Sequence, residues 1–209
     1  MNIKEIIKQI IAIPVSISAL ITRKHNGISY KFAYATVEQF TMSYAYNPDL
    51  VKQVRLNLVK LGGAFASKVT QENIDHLVKT MEEAGKHNMA KGTRIISKPG
   101  YQIILVKDFL KGFSRQELRA TKYHELGHLV NRDLENATGL VIELEKELAA
   151  DAYAAKHTSK EAMRSVLLKM RENVIERITP IATDEELTAI REEFYGEDSI
   201  MTKRLKALS

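Results

Sequence analysis

The sequence predicts an α+β chain that is mainly helical, and three observations carry that prediction. Apolar residues recur at three- and four-residue spacing over most of the chain, and two short stretches alternate apolar with polar residues. Glycine, proline and hydroxyl-bearing caps divide one stretch from the next. Hydrophobic content of 44% beside charged content of 27% is the balance of a chain that buries a core.

Taken in order, Ile3, Ile6, Ile7, Ile10 and Ile11 fall on one helical face with Lys4, Glu5, Lys8 and Gln9 between them, and Pro14 ends the helix. The apolar run from Ile10 to Ile21 is well short of the ~20 residues that span a bilayer. An acidic residue ahead of it and the lack of a small-x-small cleavage site weigh against a signal peptide. The expected use of residues 1–21 is packing against the domain, with peripheral attachment to a membrane or partner as the alternative. Ile28–Tyr34 alternates as a strand. Helices are expected over about 36–45, 48–61 and 71–88, the second begun by Asn47-Pro48-Asp49 and ended by Gly62-Gly63. Arg94–Ser97 and Tyr101–Lys107, flanking Pro99-Gly100, read as a hairpin. Ser114-Arg115-Gln116-Glu117 is a capping box opening a helix whose apolar face is Leu118, Leu126, Leu129 and Val130. Val141–Ala155 is a further helical stretch, and three more are expected over 159–178, 184–195 and 199–208.

The chain has no cysteine, which excludes disulfides and thiolate metal sites. The net charge of +5 is spread over scattered lysines and arginines rather than a stripe, so specific nucleic-acid binding is not expected.

Chemistry concentrates in His124-Glu125-Leu126-Gly127-His128. Residues four apart on a helix sit about 40° apart around its axis, so both imidazoles leave one face and can reach one ion. Glu125 leaves the same helix beside them, placed to bond a metal-bound water rather than the metal. Zinc lowers the pKa of such a water to about 7. Gly127 costs helix stability, about 1 kcal/mol against alanine, and a small residue there lets another backbone approach. A third ligand must come from elsewhere, and the next helix offers Glu143, Glu145, Glu147 and Asp151. Glu147 is the preferred ligand because Asp151 lies one turn further on the same face, where it can accept the free N–H of a ligating histidine. Glu143 and Glu145 read as a solvated face. Ala149, Ala150 and Ala152 leave room for two helices to cross closely.

These residues resemble a known family. The chain matches the His-Glu-x-x-His and later Glu-x-x-Ala-Asp pattern of the gluzincin metallopeptidases, and is most similar to the HtpX-like branch. The likeness covers residues 114 to about 157: Ser114-x-x-Glu-Leu, His124 to Asp133, and Glu147-Leu-Ala-Ala-Asp151. It implies one Zn2+ per chain held by His124, His128 and Glu147, with Glu125 as general base and acid. Asp151 would support a ligand, and Asp133 would tie down the end of the active-site helix. It also implies a zincin-like fold, a small sheet plus active-site helix above a helical lower part, and an extended peptide held along a strand of the upper part. That strand is expected to be the one just before the active-site helix. Lys122 departs from the uncharged residue usual two positions before the first histidine, and the family's later His-Pro-Pro element is missing. His157, Tyr153 and Tyr195 are left as candidates for stabilising the oxyanion. The expectation is a zinc endopeptidase acting on a protein or peptide substrate, with a catalytically silent binding or sensor module as the alternative. A single domain over 1–209 is expected, with N-terminal helices and first strands over 1–100, the metal-site core over 101–157 and C-terminal helices over 158–209. The expected location is the cytoplasm, or secretion as the alternative.

Overall fold

A computed structural model describes residues 21–41, 48–60, 62–83, 85–96, 98–135 and 143–209. The expected N-terminal helix lies outside these residues. The fold is α+β and mainly helical, a four-stranded mixed sheet followed by several helices.

β1 (Ile21–His25) and β2 (Ile28–Ala35) form an antiparallel hairpin. Asn26 and Gly27 both adopt positive φ, 48° and 79°, as the mirror-image two-residue turn requires to match strand twist. Two helices follow, α1 (Val37–Thr41) and α2 (Pro48–Lys60). Gly62 and Gly63, at φ 64° and 83°, then turn the chain into β3 (Ala64–Val69). α3 (Gln71–Glu83) and α4 (His87–Ile96) come next, then β4 (Gly100–Val106). The remaining helices are α5 (Arg115–Val130), α6 (Leu144–His157), α7 (Lys160–Ile178), α8 (Asp184–Tyr195) and α9 (Ile200–Ala207).

Two expectations fail here for identifiable reasons. The helix expected over 71–88 stops at Glu83, because Gly85 at φ 72° closes it with a Schellman arrangement. Lys86 N–H donates to Met81 O at 2.8 Å and Gly85 N–H to Glu82 O at 3.0 Å. The chain then restarts as α4, so Arg94 is helical and the hairpin over 94–107 does not form. β4 instead occupies the interior of the sheet, whose order is β1-β2-β4-β3, parallel to β2 and antiparallel to β3. Its unbroken apolar run, Ile103-Ile104-Leu105-Val106, is that of a strand covered on both faces. With both edges paired, β4 cannot hold an extended substrate. The edges of the sheet are β1 and β3.

Alternation divides the sheet's faces. Tyr30, Phe32, Ala64, Ala66, Ile103 and Leu105 pack with Leu126 and Leu129 of α5. Ala35, Phe65, Ile104 and Val106 join the larger core built from α2, α7, α8 and α9.

α5 is anchored at its start. Glu117 Oε2 accepts the Ser114 N–H at 2.6 Å while Ser114 Oγ accepts the Glu117 N–H at 3.2 Å. The same carboxylate receives Ser165 Oγ–H at 2.6 Å and Lys169 Nζ at 2.8 Å from α7. Desolvation would raise its pKa, but these donors outweigh it and hold Glu117 at about 2, against 4.5. A depressed carboxylate contributes stability fully above its unfolded pKa and loses it as pH falls through the folded one. Glu117→Gln is therefore expected to lower stability by about 1–3 kcal/mol near neutrality. In urea titrations the gap to wild type should close between about pH 5 and pH 2; a gap that does not change with pH would refute this.

Candidate metal centre

α5 and α6 cross at Gly127. A Cβ there would meet Ala150 Cα at 2.8 Å and Ala150 Cβ at 3.2 Å. The glycine is a place of closest approach between two backbones, and it sets α6 against the face that carries both histidines. Gly127→Ala pits two effects against each other. Helix propensity favours alanine by about 1 kcal/mol, while overpacking costs about 1–3 kcal/mol. Because the obstacle is main chain, the helices must part. The expected result is a lower thermal midpoint and weaker binding of an added divalent metal, and a raised midpoint with unchanged affinity would overturn the account.

The crossing brings His124, His128 and Glu147 together. His124 Nε2 and His128 Nε2 lie 3.2 Å apart. The Glu147 carboxylate straddles them, Oε2 at 3.4 Å from His124 and Oε1 at 3.4 Å from His128. One donor atom from each residue lies within 4.8 Å of the others, a group that can hold a metal ion. A tetrahedral ion with bonds of ~2.0–2.1 Å separates neighbouring ligand atoms by about 3.3–3.4 Å, close to these spacings.

The supporting groups point the same way. His128 Nδ1 donates to Asp133 Oδ2 at 2.9 Å, and the Asp133 N–H donates to His128 O at 3.0 Å across the turn that ends α5. His124 Nδ1 lies 2.8 Å from Asp151 Oδ1, with the carboxylate off the line of the ring N–H, so this is a charge contact more than an aligned hydrogen bond. With an ion bound, each carboxylate would hold the imidazole proton on Nδ1 and leave Nε2 free to ligate. Two imidazole nitrogens and a carboxylate thus converge on one point, a field that favours positive charge.

Arg204 of α9 completes the group, and sequence reasoning missed it. Its guanidinium grips Asp151 through Nε and Nη2, both at 2.8 Å, and reaches Glu147 Oε2 with Nη1 at 2.7 Å. All three side chains are buried. The signal was present: Met201, Arg204, Leu205 and Leu208 share one helical stripe, and a charge on an apolar stripe demands a partner. The carboxylates of Glu125, Asp133, Glu147 and Asp151 outnumber the single guanidinium among the described residues, an excess of negative charge that favours a bound cation.

Burial alone would raise Glu147 and Asp151, yet Arg204 and His124 outweigh it, holding Glu147 well below the usual carboxylate range and Asp151 at about 2. Burial alone would lower His124, yet Asp151 and Glu147 raise it to about 10. A proton and a metal ion therefore compete for the same negative field. Glu125 is buried on α5 between the histidines, and desolvation raises its pKa against their charge and the Ala66 main-chain amide of β3.

The other sequence-derived residues lie elsewhere. Glu143 and Glu145 are exposed, Glu143 pairing with Lys146 at 2.9 Å. Tyr195 is exposed, with its hydroxyl donating to Arg171 O at 3.2 Å. Tyr153 Oη lies 2.5 Å from His25 Nε2, and His157 stacks on Tyr123 with ring centroids 4.7 Å apart. The described contacts of these three residues do not include the metal donors. No helix among the described residues is long and apolar enough to cross a membrane. No family model, curated protein or solved structure matches the chain.

Proposed function

We propose that this chain is a zinc-dependent endopeptidase of the gluzincin kind, with His124, His128 and Glu147 as ligands and Glu125 as general base. The observation that carries the reading is Glu125. It is a buried carboxylate beside the donor group, raised by desolvation, with no ion pair among the described residues. A purely structural metal site has no use for such a group, whereas a metal-activated water needs a carboxylate beside it to take its proton. Three protein donors among the described residues, rather than four, fit a catalytic site that keeps one position open. The likeness of residues 114–157 to the HtpX-like branch supports the same reading.

Zinc bound here would supply Lewis acidity, acidifying water and polarising the peptide carbonyl. Glu125 takes the proton from the attacking water on a carboxylate oxygen and delivers it to the leaving amine nitrogen. Asp133 and Asp151 keep the imidazole protons on Nδ1, and Arg204 fixes the rotamer of Glu147. Leu126 and Leu129, packed under the sheet, hold the helix still. The strand that would pair with an extended substrate is β3, an edge strand whose Ala66 amide faces Glu125, rather than β4.

Glu125→Gln tests the proposal. Hydrolysis of an unstructured protein substrate by the zinc-loaded chain should fall by about 100- to 10,000-fold, with zinc content unchanged. Equal hydrolysis by variant and wild type, or none by the zinc-loaded wild type, would sink it.

A further inference from the structure

Lys122, the sequence's departure from the family pattern, belongs to a second assembly at the β1 end of the sheet. Its Nζ sits 5.4 Å over the Phe32 ring, and the Arg23 guanidinium lies over the same ring at 5.8 Å. Arg119, one turn back on α5, lies 5.5 Å over Tyr123, beside the stacked His157. His25 contacts Tyr123, Tyr153 and His157. Arg23, Arg119 and Lys122 thus rest on aromatic faces, and none makes an ion pair among the described residues. The crowding has a cost: desolvation, then His157 and Lys122, lowers the pKa of His25.

Edge strands carry cations to block self-association, which accounts for Arg23 and Lys24 but not for a half-buried lysine projecting from the neighbouring helix. β1 is exposed from Ile21 to Lys24 with His25 half-buried, and its outer edge is unpaired among the described residues. A free strand edge offers main-chain hydrogen bonds to an extended polypeptide rather than to a nucleic acid, and the charge selects an acidic one.

We propose that the β1 edge, with Arg23, His25, Arg119, Lys122 and His157, is a docking surface for an extended acidic segment of a polypeptide. It is distinct from the metal centre, since β1 and the Glu125-facing β3 are opposite edges of the sheet. The inference does not depend on zinc or on hydrolysis.

The test uses the full chain and fluorescein-labelled peptides of about ten residues alternating glutamate with valine, or glutamine with valine. Fluorescence anisotropy should show the glutamate peptide binding, with affinity falling as salt rises and unaffected by Glu125→Gln. The Arg119→Gln/Lys122→Gln double variant, its fold checked by circular dichroism, should bind about tenfold more weakly. Arg191→Gln on α8 should bind as wild type does. Amide resonances of residues 21–25 should shift on titration. Equal affinity for the two peptides, no loss in the double variant, or displacement of the peptide by single-stranded DNA at lower concentration than by unlabelled peptide would overturn the proposal.

Discussion

Glu147→Ala should strip the chain of its metal, and the loss should exceed the ~10–100-fold fall in affinity that follows removal of a supporting hydrogen-bond partner. Two effects act together. A donor atom disappears from a group in which each Glu147 oxygen lies 3.4 Å from a histidine nitrogen. The variant also frees Arg204 Nη1 from its 2.7 Å contact, so the guanidinium, still held by Asp151, is opposed by one carboxylate fewer and disfavours a cation nearby. Elemental analysis of wild type and variant purified side by side checks this, with circular dichroism confirming that both fold. Equal metal content would mean that Glu147 is not a ligand, and the hydrolase reading would fail with it.

Arg204→Met should be the most destabilising single change at the centre, by about 3–5 kcal/mol, because it strands buried carboxylates without a counter-charge. Methionine keeps much of the volume, so the cost reports charge more than packing. The guanidinium and a divalent cation neutralise the same group, so the loss should be smaller with zinc than with a chelator. Arg204→Lys should fall between, since an ammonium cannot reproduce the two-pronged grip on Asp151. Urea unfolding of the three proteins with and without zinc measures all of this. A loss identical in both conditions would show that Arg204 acts through packing alone.

The α+β class and the helices after residue 143 could be read from the sequence because their signals are local. Ser159, Thr183 and Ser199 each cap a helix where the spacing places one. Ser114 and Glu117 likewise fix the start of α5. β1 and β3 were missed. β1 is short and mostly polar, and its one clear mark was the Asn26-Gly27 turn. β3 is Ala-Phe-Ala-Ser-Lys-Val, whose small residues carry little strand preference. Sheet order was beyond sequence reasoning because it depends on pairing over long separations, such as Tyr30 with Tyr101.

At the centre, the spacing of His124 and His128 dictated a shared face, and Gly127 announced a close neighbour without identifying it. Ala150 became its counterpart only once two helices had coordinates. Arg204 was hidden because a lone arginine in a basic stretch, Lys203 to Lys206, looks like a solvated surface until its place on the apolar stripe is weighed.

The grip of Arg204 on Asp151 also bears on how the protein matures during translation. A nascent chain that has emerged as far as Ile178 carries His124, His128 and Glu147 with both of their aspartate supports, yet lacks the guanidinium that balances them. Until residue 204 leaves the ribosome a cation is the counter-charge left to those carboxylates, so an ion present during synthesis would favour the crossing of the two helices.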